Sequence, residues 1–237
     1  MTLPAPRRAA ALADTLEVKA KIWDLPTRVV HWLFAVLIPF SWWSAVNDHL
    51  SWHLLSGATI LGLLIFRLIW GLIGSSTARF SSFLAGPRTI AAYVSGRLGH
   101  ARVGHNPLGG WSVAALLAVL SLQVCLGLFA VDEDGIEAGP LSNFVSFHTG
   151  RLITHWHQKI FWVLLALIVL HLGAILFYAL RRKNLVGPMI TGFSRLAPGV
   201  AAPVIAAPWR ALGAAVLAGT VAWFVAHGLA LALAVSS

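Results

Sequence analysis

Apolar residues fall into five runs of about 20, at 26–46, 51–74, 108–131, 155–180 and 211–235. At 1.5 Å of rise per residue, each is long enough to cross a hydrocarbon layer about 30 Å thick. Helix signals and breakers separate them. Pro26 suits a first helical turn after Asp24, Gly104-His105-Asn106-Pro107 opens the third run, and Arg181-Arg182-Lys183 stops the fourth. A linker punctuated by Pro and Gly, from Gly187 to Pro208, precedes the fifth. The pattern predicts an all-α fold, an integral membrane helical bundle of five transmembrane helices.

Composition strengthens this reading. Of 237 residues, 58% are hydrophobic and 11% charged, against about 25% charged in an ordinary soluble domain. Lys and Arg number 17 against 8 Asp and Glu, for a net charge of +9. The basic residues flank apolar runs, a signature of membrane topology and not of a nucleic-acid surface. Arg7, Arg8, Lys19, Lys21 and Arg28 precede or open the first run without a separate signal-peptide apolar region, so the N-terminus is expected in the cytoplasm. Arg79, Arg88, Arg97 and Arg102 in the 75–107 connection, and the basic 181–210 linker, share that side. Asp48 and the acidic stretch Asp132, Glu133, Asp134 and Glu137 lie opposite, with Arg151 and Lys159. Positive-inside topology then puts the 132–156 loop and the C-terminus in the periplasm of a bacterial inner membrane. The single cysteine, Cys125, excludes an internal disulfide, a Cys-rich metal site and a covalent C-x-x-C-H haem attachment. Any metal chemistry therefore rests on the ten histidines.

His157 and His171 lie 14 residues apart on the fourth run, within roughly 40° of one helical face and about 21 Å apart along the axis. They suit two cofactors stacked across the bilayer and cannot share one metal ion. His155 points about 160° away from His171, which favours His157. Second ligands must come from other helices. Depth pairs His31, in the cytoplasmic part of the first run, with His171, and His53, in the periplasmic part of the second, with His157. Two bis-imidazole b haems, non-covalently held, leave no open iron position and favour electron transfer. His49 shares the face of His53 and is the alternative outer ligand. His49-x-x-x-His53 also has the spacing of membrane di-iron sites, which need further His-rich clusters that this chain does not carry. His227 has no partner in the scheme. Gly57, four after His53, offers a surface for a macrocycle edge, and Arg28 and Arg67 could pair with propionates or simply anchor the bundle. At the mouth of the third run, His105 could relay a proton near neutral pH and Asn106 could hydrogen-bond a quinone oxygen beside the His31–His171 haem. Equally, Asn106 could cap the helix and His105 be a loop residue.

The strings Trp23-Asp24-Leu25-Pro26-Thr27-Arg28-Val29-Val30-His31-Trp32, Arg67-Leu68-Ile69-Trp70-Gly71, Ala78-Arg79-Phe80-Ser81-Ser82-Phe83, Gly104-His105-Asn106-Pro107-Leu108-Gly109-Gly110 and Asn184-Leu185-Val186-Gly187-Pro188-Met189-Ile190-Thr191-Gly192 resemble the bacterial cytochrome b561 and nickel-iron hydrogenase b-type cytochrome family. The resemblance covers about residues 21–192 and implies a four-helix di-haem core, which divides the chain into an N-terminal segment 1–21, a di-haem membrane domain 22–192, a linker 193–208 and a fifth C-terminal transmembrane helix 209–237 outside the core. It implies electron transfer between the quinone pool and a periplasmic c-type cytochrome, dehydrogenase or hydrogenase subunit. His31, His53, His157 and His171 match the ligand positions. The acidic stretch Asp132 to Glu137 would offer a docking surface, or be a solvated turn. The competing reading is a membrane anchor or transporter subunit with structural or proton-relaying histidines, which would be colourless. The resemblance also admits a quinone reductase or quinol oxidase activity of the chain itself, and a homo-oligomer.

Overall fold

The computed structural model describes residues 18–97 and 103–228. The expected end of the fifth span at Val235, the charges of Arg7, Arg8 and Arg102, and most of the 1–21 segment lie outside the described residues. In order, the elements are strand β1 (Val18–Lys21) and helices α1 (Leu25–Val46), α2 (Leu50–Ile73), α3 (Phe80–Phe83), α4 (Pro87–Val94), α5 (Pro107–Leu128), α6 (Phe147–Leu180) and α7 (Val186–Thr191), followed by strand β2 (Phe193–Leu196) and helix α8 (Pro208–Ala226). Among the described residues, five helices, α1, α2, α5, α6 and α8, are long and apolar enough to cross a membrane.

The helix starts are encoded locally. The Asp24 carboxylate accepts from Thr27 N at 2.7 Å and Pro26 fills the first turn of α1, while Asn106 Oδ1 accepts from Gly109 N at 2.6 Å ahead of Pro107 in α5. Ser146 Oγ accepts from Thr149 N, so α6 begins at Phe147 and not near 155. Hydropathy misses that first stretch because Thr149, Gly150 and Arg151 dilute it. The third span ends at Leu128, short of 131, because Val131 bridges Ala138 across a small acidic hairpin. The two strands pair antiparallel, Val18 with Leu196 through Lys21 with Phe193, an element too short to stand out in a basic flank.

α2 is the central helix, packed against α1 on one side and α8 on another, with α5 joining it to α6. Ala214, Ala218 and Ala222 form the buried face of α8, and a Cβ on Gly62 of α2 would touch Ala222 Cβ at 3.4 Å. Small residues thus let these two backbones approach closely, as membrane helices commonly do. A second apolar cluster joins Ile60 and Leu64 of α2 to Leu117 and Leu120 of α5 and Leu164 of α6. Leu164 lies seven residues from both His157 and His171, so this cluster forms a waist halfway between them.

The basic-loop end is stitched by hydrogen bonds among the short motifs. Trp70 Nε1 donates to Asp24 Oδ2 at 3.0 Å, Thr77 Oγ1 to the Ile22 carbonyl at 2.7 Å, and Trp111 Nε1 to the Ala85 carbonyl at 2.8 Å. The Gly192 carbonyl accepts from both Ile22 N and Trp23 N. With φ at +87°, Gly192 takes a conformation that favours glycine, and a Cβ there would lie 2.9 Å from the Trp23 carbonyl oxygen.

Candidate functional site

Long helix α6 packs most closely along α5 and meets α1 and α2 through side chains such as Phe161 on Trp42 and Leu164 among Ile60 and Leu64, and its two inward histidines face histidines on those two helices. At the acidic-loop end the rings of His53 (α2) and His157 (α6) are 6.1 Å apart between centroids at 87°. At the basic-loop end His31 (α1) and His171 (α6) are 6.5 Å apart at 56°. Metal–imidazole bonds of about 2 Å on either side of one ion, plus about 1.1 Å from each ligating nitrogen to its ring centre, require about 6.3 Å. Both pairs could therefore hold a metal ion between them.

Tautomers at the acidic-loop pair follow from the acceptors. His53 Nδ1 lies 2.8 Å from the Ser41 carbonyl and His157 Nδ1 lies 2.9 Å from the Gln123 carbonyl, and since a carbonyl only accepts, each Nδ1 carries the proton. Each Nε2 then keeps its lone pair, the arrangement that second-sphere carbonyls impose on metal-binding histidines. Ser41 Oγ adds a 3.1 Å contact to His53 Nδ1, and the Gln123 amide donates to His157 Nε2 at 3.2 Å. A cavity of about 600 Å³ opens beside the pair, lined by Gly57, Gly127, Trp42, Phe161 and Leu164 among others. A Cβ on Gly57 would meet nothing within 4 Å, whereas one on Gly127 would come 2.9 Å from His157 Cε1. Gly57 thus borders open space and Gly127 admits the ligand ring. His49 sits at the start of α2 against Trp43, 5.6 Å between rings, and not against His157. His227 Nδ1 bonds the Trp223 carbonyl at the end of α8.

The basic-loop pair has different surroundings. His31 Nδ1 is enclosed and has no hydrogen-bond partner. Arg67 is buried, donates to the Ala78 carbonyl at 3.3 Å and lies 5.3 Å from the Phe80 ring centre. The buried Asp24 carboxylate lies within electrostatic reach of this guanidinium as a counter-charge, and the N–H groups it leaves free suit an anionic group of a ligand. Arg28 donates one Nη to the Ile190 carbonyl while its Nε is enclosed without a partner. Both arginines singled out from sequence thus lie at this end.

His105 is sandwiched by Trp23 and Phe83, with ring centres 4.8 and 4.7 Å away, and its Nδ1 has no partner. Burial, then the positive charge of Arg67, then His171 and His31, push its pKa down to about 3, so the neutral-pH titration expected from sequence is corrected: His105 stays neutral. Asn106 caps α5 with its oxygen and donates its amide to Tyr178 Oη at 2.8 Å. Tyr178 in turn meets Tyr93 at 3.1 Å, linking the chain's two tyrosines. That hydrogen bond, with burial, pushes the Tyr93 pKa up to about 12. Sequence reasoning missed Ser41, Gln123, Gly127 and the tyrosine pair. The one signal available was Gln123, a side-chain amide isolated in an uncharged span.

The family profile of prokaryotic cytochrome b561 matches residues 22–192. The chain belongs to this family. The match contains all four facing histidines, Arg28, Arg67, His105 and Asn106, and stops before β2, leaving α8 outside it. It is thus a multi-pass membrane b-type cytochrome of electron transfer. No curated protein and no solved structure matches the chain.

Proposed function

We propose that this b561-family chain carries two non-covalent b haems, on His31 with His171 and on His53 with His157, and moves electrons across the cytoplasmic membrane between the quinone pool and a periplasmic redox partner. The observation that carries the proposal is the pair of facing histidine sets, 6.5 and 6.1 Å apart, on opposite sides of the Leu164 waist. Haem held by these histidines would supply reversible one-electron chemistry. The protein does the rest. The Ser41 and Gln123 carbonyls hold His53 and His157 in the tautomer that presents Nε2. Arg67 and Arg28 neutralise carboxylates at the basic-loop end, and the apolar waist keeps water from the path between the sites.

Quinone reacts at the basic-loop end, between His105, Asn106 and the His31–His171 site. There, neutral His105 serves as a hydrogen-bonding group, the Asn106 amide holds Tyr178 in place, and the paired Tyr178 and Tyr93 hydroxyls carry protons toward the aqueous phase. The basic loops face the cytoplasm, the acidic hairpin from Asp132 to Glu137 faces the periplasm, and the partner docks there; Arg151 pairs with Glu133 at 3.0 Å and leaves the other carboxylates to the partner. The test is quinol-driven reduction of the b-type absorbance in proteoliposomes. Asn106→Ser keeps a capping oxygen but removes the amide donor, and should slow reduction about tenfold with both haems retained. An unchanged rate at full haem content would place the quinone elsewhere.

A further inference from the structure

The fifth membrane helix lies outside the family match, and where it meets the end of α2 it closes a second cavity of about 540 Å³. Its wall is mixed. Leu72 and Leu217 are exposed and apolar, Gly213 leaves a groove with nothing within 4 Å of where its Cβ would be, and Arg79, Trp209 and Arg210 gather at the end. None of the lining residues is acidic.

The two guanidiniums are only weakly engaged. Arg79 Nε is enclosed without a partner, and Arg210 makes a long 3.5 Å contact to the Ile73 carbonyl while lying 5.4 Å from the Trp209 ring centre. Their positions are nevertheless fixed. Ser76 N donates to the Val204 carbonyl at 2.9 Å, Val204 N to Ser76 Oγ at 3.1 Å and Ala206 N to Ser75 Oγ at 2.9 Å, which ties the segment leading into α8 to the turn that carries Arg79. The cleft lies where α2 ends and α8 begins, at headgroup level, with Trp209 exposed in the first turn of α8 as an interfacial anchor.

We infer that this cleft binds an anionic phospholipid, the phosphate between Arg79 and Arg210 and an acyl chain along Leu72, Gly213 and Leu217. Two cations lining one cleft with no acidic neighbour in it call for a phosphate diester, and the apolar groove continuing from them calls for a chain attached to it. A free phosphate would use the first feature and leave the groove to solvent lipid. The fifth helix then completes a lipid site with the end of α2.

The experiment is thermal unfolding of the purified protein in detergent micelles with added phosphatidylglycerol, phosphatidylcholine or inorganic phosphate, together with native mass spectrometry of retained lipid. Wild type should be stabilised, and should retain lipid, with phosphatidylglycerol alone. Arg79→Gln/Arg210→Gln should weaken the apparent affinity roughly 25-fold. The charge-matched control Arg88→Gln/Arg97→Gln, on exposed residues at the same end, should leave it unchanged. Gly213→Leu, which fills the groove, touches no charge and improves helix propensity, should weaken it as well. Equal stabilisation by phosphatidylcholine, by inorganic phosphate alone, or of the Arg79/Arg210 variant by phosphatidylglycerol would each overturn the inference.

Discussion

Gly127→Ala is the smallest change that should strip one haem and spare the other. The new Cβ would lie 2.9 Å from His157 Cε1, where carbon atoms at rest sit about 3.5 to 4.0 Å apart. The imidazole must therefore retreat by about 0.6 to 1.1 Å, more than the roughly 0.2 Å that metal–ligand bonds tolerate. The same movement stretches the 2.9 Å bond from Nδ1 to the Gln123 carbonyl. A lost hydrogen bond costs about 0.5 to 1.5 kcal/mol and overpacking about 1 to 3 kcal/mol, so affinity at the His53–His157 site should fall about ten- to a thousandfold. The assay is potentiometric titration of the b-type absorbance with haem quantified per polypeptide. The component from the His53–His157 site should shrink or vanish while the His31–His171 component keeps its amplitude and midpoint. Full occupancy of both sites with unchanged midpoints in Gly127→Ala would refute the assignment of His157.

Gly57→Leu should also lose the haem at that site, since its side chain would enter the cavity, yet the polypeptide should insert and fold normally because nothing lies within 4 Å to be displaced; a full spectrum would show that no macrocycle occupies that space. Alanine at His31 or His171 should remove only the basic-loop haem and alanine at His53 or His157 only the other, while His49→Ala, His155→Ala and His227→Ala keep the whole spectrum, all read by difference spectroscopy. His105, held neutral down to about pH 3 against an ordinary value of 6.5, contributes stability that is complete above pH 6.5 and lost as pH falls toward 3, so His105→Phe should flatten acid unfolding over that window. Tyr93, raised from 10.0 to about 12, contributes stability that is complete below pH 10 and lost as pH rises through 12, and Tyr93→Phe should flatten the alkaline limb of the same unfolding curve.

The spans were legible because hydrophobic length alone demands them in a membrane, and the displaced ends mark where other forces act. α6 starts at Phe147 because the Ser146 cap outweighs a polar first stretch, and α5 stops at Leu128 because the chain turns into the acidic hairpin. The facing of His157 and His171 follows from helix periodicity, a purely local property. Distinguishing His53 from His49 does not, since residues four apart share a face; it takes the start of α2 at Leu50, which leaves His49 outside the helix against Trp43. The carbonyls of Ser41 and Gln123 were invisible to sequence because any residue offers a carbonyl, and only the packing of α1 on α2 and α5 on α6 selects these two. The pKa of His105 depends on Trp23, Phe83 and Arg67 arriving from three separate segments, so its ordinary titration was the reasonable expectation and burial overturned it.

Haem per polypeptide in the purified, detergent-solubilised protein tests the central claim most directly. Pyridine haemochromogen absorbance set against amino-acid analysis should give two b haems per chain, falling to one in His171→Ala and to one in His157→Ala, with the other site's midpoint potential preserved each time. One haem per chain in the wild type, or loss of both haems from either single variant, would contradict two independent sites on opposite sides of the Leu164 waist.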